Sequence, residues 1–187
     1  MKNKTLTFDN FVVYLADSSR SGSDLKNAKL KKYLNETFLV IRNFLKSKDL
    51  SPLVNKSKNF ELGLTICGKK MIKSLNLEHR QKDKVTDVLS FPGHDSLRVD
   101  AEDLFIFDKT INFGDIVICR EVCLKQSKEF NITYEQELVH LLIHGFLHLC
   151  GFDHEISEIE DKIHFSLEEK LVKKVYDNMG IKNARVY

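Results

Sequence analysis

Residues 140–154 read HLLIHGFLHLCGFDH and hold four of the seven histidines. His144 and His148 are separated by three residues, so on a helix they stand one turn apart on one face, where both imidazoles can reach a single ion. Gly151 is placed to stop that helix in a left-handed conformation. The chain can then double back and bring His154 toward the same point. The spacing H-x3-H-x2-G-x2-H therefore ties a helix, its end and the turn beyond it to one centre. Three neutral imidazoles leave one tetrahedral position for water, which marks a catalytic zinc and not a closed structural one. Such an ion acidifies its water and polarises a carbonyl or phosphoryl oxygen.

The histidine spacing is similar to that of metzincin proteases, which place a general-base Glu directly after the first histidine. Here that position is Gly145, so a peptidase would lack its proton acceptor. His140 lies one further turn back on the same face, either packed under the site or touching the ligands or substrate. Asp153 either orients a ligand imidazole or caps the turn. The acidic stretch EISEIED that follows reads as the solvated start of another helix, where negative charge suits the macrodipole.

The rest of the chain supplies an ordinary core. Its 187 residues are 42% hydrophobic and 30% charged, enough to bury a core without disulfides and too apolar for a disordered chain. No apolar run approaches a membrane span, and the start MKNKTLTFDN lacks the pattern of a signal or transit peptide. Cys67, Cys119, Cys123 and Cys150 form no CxxC pair and read as reduced core thiols, which fits a cytoplasmic protein.

Strand patterns fall at 5–14, 60–67, 85–91 and 113–119, with LFIF at 104–107 a weaker one. Helical patterns fall at 25–48, through Leu75, and at 120–130, 133–150 and 158–175. The first long helix is expected to be capped by Ser23 or Asp24. Its apolar residues Leu30, Tyr33, Leu34, Phe38, Ile41 and Leu45 recur at helical spacing. Strands early and helices late predict an α+β fold in a single domain over 1–187, a small mixed sheet packed with helices, with the histidine helix in the C-terminal third.

The 29 Lys plus Arg against 27 Asp plus Glu give a net charge of only +2, which announces no polyanion partner by itself. Locally, however, Lys69, Lys70, Lys73, Arg80, Lys82 and Lys84 face only Glu78 and Asp83 between 69 and 84. Such a run is commonly a solvated face; beside a hydrolytic metal it becomes a groove for a phosphate backbone. An Arg near the ion is the natural clamp for a phosphate and its transition-state charge.

HGFLHLCGFDH, preceded by ELVHLLI, resembles the signature of the YbeY family of single-strand-specific endoribonucleases. LNLEHRQKDKVTDVLSFP at 75–92 and FGDIVIC at 113–119 match in order, so the resemblance spans roughly 60–170. It implies an α+β fold, a metal held by His144, His148 and His154, and a role in activity for Arg80. It further implies metal-dependent cleavage of single-stranded RNA in 16S rRNA 3′-end maturation and ribosome quality control, with small-subunit rRNA and proteins as partners. Lys69 and Lys73 would bind the substrate. Phe152 stands where the family often has Tyr, and the 93–113 loop is longer than expected. A non-catalytic metal-containing assembly factor and a metalloprotease are the alternative readings.

Overall fold

The computed structural model describes residues 2–18, 26–101, 104, 106 and 109–181. The chain opens with a hairpin, β1 (Lys2–Phe8) and β2 (Phe11–Asp17), whose register closes at Phe8 opposite Phe11. This replaces the single strand predicted over 5–14. The apolar pattern runs through the two-residue loop, and Asp9 turns the chain with φ 57°, a conformation Asp tolerates better than most residues.

Helix α1 (Ala28–Phe44) begins later than the predicted Leu25 because Asn27 caps it, its side chain accepting from the Leu30 N–H. Ser23 and Asp24, the predicted caps, lie outside the described residues. The apolar face is the one the spacing indicates: Leu30, Tyr33, Leu34, Phe38, Ile41 and Leu45 are all buried. A short helix, α2 (Pro52–Lys56), follows, then β3 (Asn59–Cys67) and α3 (Lys69–Arg80), which runs one turn past Leu75 and ends with Gln81 in the left-handed region at φ 56°. Strand β4 (Val88–Pro92) and β5 (Thr110–Cys119) come next. Leu104 and Ile106 of LFIF are not in a strand, and its two phenylalanines lie outside the described residues. The chain closes with α4 (Arg120–Glu129), α5 (Tyr134–Leu149) and α6 (Glu158–Met179).

The five strands form one mixed sheet in the order β1-β2-β3-β5-β4, with β2, β3 and β5 parallel to one another and both edges antiparallel. The fold is therefore α+β with a mixed sheet. Alternation along β5 sends Ile116 and Ile118 into the main core with α1, α5 and α6, while Val117 and Cys119 join Cys67, Ile72 and Leu89 in a smaller cluster on the other face. All four cysteines are buried, and burial pushes the Cys67 thiol up to about 12.

The rings of Phe11, Phe60 and Phe113 stack across β2, β3 and β5, and Phe146 of α5 meets Phe113 edge-on at 5.0 Å. That contact fixes α5 against the sheet two residues after His144. Gly145 lets the backbone approach: a Cβ there would lie 2.9 Å from the Ser90 Oγ and 3.1 Å from Ile116. The Ser90 hydroxyl donates to the Gly145 carbonyl at 3.2 Å. Tyr176 of α6 in turn donates to the Gln136 carbonyl, holding α6 along α5.

Candidate metal centre

Helix α5 starts with a reciprocal cap. Thr133 accepts from the Gln136 N–H while the Gln136 side chain accepts from the Thr133 N–H, an arrangement that satisfies two helix-end donors. From Glu135 to Leu149 every residue is buried except His144 and His148. The helix ends where the sequence indicates. Phe152 N–H bonds to the Leu147 carbonyl and Gly151 N–H to the His148 carbonyl, with Gly151 at φ 89°, the Schellman arrangement. The chain reverses there and carries His154 back toward the helix.

Nitrogens of His144, His148 and His164 lie within 4.8 Å of one another, a set that can hold a metal ion. His148 Nε2 is 3.2 Å from His144 Nε2. His154 joins them by its ring: its centroid is 5.2 Å from that of His144, 5.0 Å from His148 and 5.1 Å from His164. The remaining separations, 4.8, 4.7 and 4.8 Å, complete a cluster of four rings. Phe165 packs on the rings of His154 and His164.

Glu168 sits beneath the rings, fully buried. His140 Nε2 and His144 Nδ1 both contact its carboxylate, the latter at 2.9 Å, and His164 Nε2 is 3.3 Å away. Burial opposes its charge, but hydrogen bonds from His140, His144 and His164 hold the carboxyl well below the usual carboxylate range. His140 is thus a buried partner of Glu168 and reaches the rings through it. The His148 imidazole is driven down to about 3 by burial first and then by the charges of His144 and His164. It is neutral at ordinary pH, the form that donates a lone pair to an ion. His154 is lowered for the same leading cause, burial. Imidazoles oriented by the Glu168 carboxylate and the Phe152 carbonyl are a donor set that suits a divalent transition ion.

Of the two roles the sequence allows Asp153, the hydrogen bonding shows the turn cap. Its carboxylate accepts from the Glu155 N–H at 2.9 Å, capping the turn, and lies 3.6 Å from His148 Nδ1. The turn is braced from below by the long loop. Leu97 N–H bonds to the Cys150 carbonyl, Ser96 packs against Gly151, and the Arg98 guanidinium lies 5.0 Å over the Phe152 ring. Arg98 also pairs with Glu160 of α6 at 2.5 Å and with Asp100 at 3.4 Å.

Arg80 ends α3, partly exposed, with its guanidinium 2.6 Å from Glu155, the neighbour of His154. Lys73 is exposed and paired with Asp83 at 3.1 Å, and Lys69 is exposed at the start of the same helix. The sequence reading missed His164 and Glu168. The one trace they leave in the sequence is a His and a Glu four residues apart on one helix face, inside a stretch read only as the helix at 158–175.

The family model for endoribonuclease YbeY matches residues 22–176. The chain belongs to the YbeY endoribonuclease family. It is 40% identical over 121 residues to the endoribonuclease YbeY of Staphylococcus carnosus, covering 65% of this chain and 73% of that protein. It is 36% identical over 157 residues to that of Bdellovibrio bacteriovorus, covering 82% of this chain and 94% of the relative. The solution structure of TM1509 from Thermotoga maritima superposes with a TM-score of 0.52 at 26% identity, covering 90% of this chain and 91% of that one. The histidine helix and the turn after it thus lie within the part of the chain that carries the YbeY likeness. Among the described residues no helix is long and apolar enough to cross a membrane.

Proposed function

We propose that this chain is a metal-dependent endoribonuclease cleaving single-stranded RNA, with a divalent ion bound by His144, His148 and His154. The observation that carries this reading is the meeting of imidazoles at the two breaks in an otherwise buried helix, with the next turn folded over them. Zinc is the ion of choice for neutral imidazole donors. When bound, it supplies Lewis acidity toward the phosphodiester. Glu168 orients His144, which fixes that ring against rotation, and Asp153 lies beside His148.

Arg80, paired with the neighbour of His154, exchanges Glu155 for an RNA phosphate and stabilises the charge that develops on it. Lys69 and Lys73 extend positive charge along α3. At 1.5 Å per residue Lys69 lies about 16 Å along the helix from Arg80, so it holds the strand and does not act on the bond. The absence of room for a side chain at Gly145 argues against a protease-type base at that position. The single domain over 1–187 would act in the cytoplasm on small-subunit rRNA, in 16S 3′-end maturation and ribosome quality control, with the small subunit and its proteins as partners.

The test is metal analysis combined with cleavage of a defined single-stranded rRNA fragment by the native protein and by His144→Ala. About one divalent ion per chain, with cleavage lost together with the ion in the variant, is expected. RNA that is bound but left intact after metal is restored would replace this reading with a non-catalytic assembly factor. Digestion of casein in place of RNA would replace it with a protease.

A further inference from the structure

We infer that His164 is a fourth nitrogen donor to the ion, so that four imidazoles and not three surround it. This rests on the reading that the site holds a divalent ion, and it departs from the three-histidine pattern that the sequence spacing gives.

Hydrogen bonding fixes the form of the ring. His164 Nδ1 is 2.9 Å from the Phe152 carbonyl oxygen. A carbonyl only accepts, so Nδ1 carries a proton and Nε2 is the nitrogen left to meet an ion. A backbone carbonyl holding the far nitrogen is the usual way a ligating imidazole is oriented. That Nε2 faces the other rings, 3.1 Å from His144 Nδ1.

Burial leaves this nitrogen only protein partners. His164 is fully buried, so water does not reach it. Its Nε2 is 3.3 Å from the Glu168 carboxylate. The proton on His144 Nδ1 lies nearer Glu168, at 2.9 Å. An ion among the rings takes the lone pair of His164 Nε2, and any proton that nitrogen shares with Glu168 is released on binding.

Geometry supplies the third argument. The six separations among the rings of His144, His148, His154 and His164 run from 4.7 to 5.2 Å. Four points with nearly equal separations form a near-regular tetrahedron. An ion about 2.0–2.1 Å from one nitrogen of each ring would set the ring centres about 5 Å apart. The nitrogens of His144, His148 and His164 are already close together. The His154 ring, on the turn and partly exposed, stands at the fourth corner. It is also the arm that can yield its position, which keeps a four-imidazole ion compatible with hydrolysis.

The experiment loads the full chain with Co2+, counts imidazoles by X-ray absorption, and measures the Co2+ dissociation constant by chelator competition. Four imidazoles in the native protein and three in His164→Leu are expected, with affinity for Co2+ at least about tenfold weaker in the variant. Three imidazoles in the native protein, or identical spectra for native and variant, overturn the inference. Should His164→Leu fail to fold by circular dichroism, His164→Gln replaces it, and the native count decides on its own. RNA cleavage by the native protein is read in parallel. Three imidazoles with RNA cut would sink the fourth ligand and leave the nuclease reading standing; four imidazoles with RNA uncut would do the reverse.

Discussion

Arg80 Nη2 stands 2.6 Å from Oε2 of Glu155, which joins the last residue of α3 to the residue that follows His154. The Arg80 hydrogen bond holds the Glu155 carboxyl below its ordinary value, so the pair is charged at neutral pH. Glu155 thus occupies the guanidinium that an RNA phosphate would take. Glu155→Gln should tighten binding of a single-stranded RNA, modestly, because an exposed pair is worth about 1 kcal/mol or less, a factor of about five at most. Arg80→Glu should keep the ion and lose cleavage. Fluorescence anisotropy beside metal analysis and single-turnover cleavage reads all three quantities, and tighter RNA binding by Arg80→Glu would contradict the assignment.

His148→Ala removes a donor from the centre, so bound metal and cleavage should fall together while RNA affinity changes little. Elemental analysis and filter binding on the same preparation check this. Cleavage at the native rate in metal-free buffer would place the activity elsewhere.

Lys69→Ala should weaken RNA binding and flatten its salt dependence, by roughly one unit of logarithmic slope if one phosphate contact is lost. Lys73→Ala should do less, since Lys73 already shares its charge with Asp83. Turnover of bound RNA should be nearly native in both. Binding isotherms at several salt concentrations give the slopes, and an unchanged slope for Lys69→Ala would remove that lysine from the RNA path.

Gly145→Ala sets helix propensity against packing. Alanine favours a helix by about 1 kcal/mol over glycine, but its Cβ would press on Ser90 and Ile116, and overpacking costs about 1–3 kcal/mol. A net loss of stability is expected in denaturant unfolding, and Gly145→Glu should yield no folded protein. A stabilised Gly145→Ala would mean that the helix shifts freely on the sheet.

Asp87 governs a pH dependence. Burial opposes its charge, yet hydrogen bonds from Gln126 at 2.8 Å, the Val88 N–H at 2.9 Å and Thr86 at 3.1 Å hold its carboxyl below the ordinary value. Above the unfolded value of about 3.9 both states are ionised and the stabilisation is fully present. As pH falls below that point the unfolded chain takes up its proton first, so the stabilisation is lost progressively toward the depressed folded value. Asp87→Asn should therefore be less stable than the native protein by a constant margin from pH 7 to about 5, narrowing below about pH 4. A margin independent of pH down to strong acid would show that the charge of Asp87 contributes nothing.

The sequence carried what local spacing can carry. The i, i+4 histidines, the stop at Gly151 and the alternation of FELGLTIC each depend on a few neighbouring residues, and each took the form its pattern implies. His164 lies ten residues beyond His154, in a helix of its own. It reaches the rings because α6 is held along α5, partly by Tyr176 on Gln136, and no short pattern encodes that packing. Glu168 went unread for a related reason. A Glu inside a charged amphipathic helix looks solvated until the three histidines that satisfy it are brought over it. Arg80 was singled out from its basic run, but its Glu155 partner belongs to a distant segment. The hairpin was missed because Asp9-Asn10 interrupts a continuous apolar alternation by only two residues.

The brace beneath the turn that carries His154 is confined to a few residues. Ser96, Leu97 and Arg98 meet Gly151, Cys150 and Phe152, and Arg98 reaches α6 through Glu160. Those three residues form a keystone for the histidine cluster, to which they add no histidine. A residue inserted before Ser96 would shift all three contacts at once, whereas one inserted after Arg98 would leave the keystone itself in place.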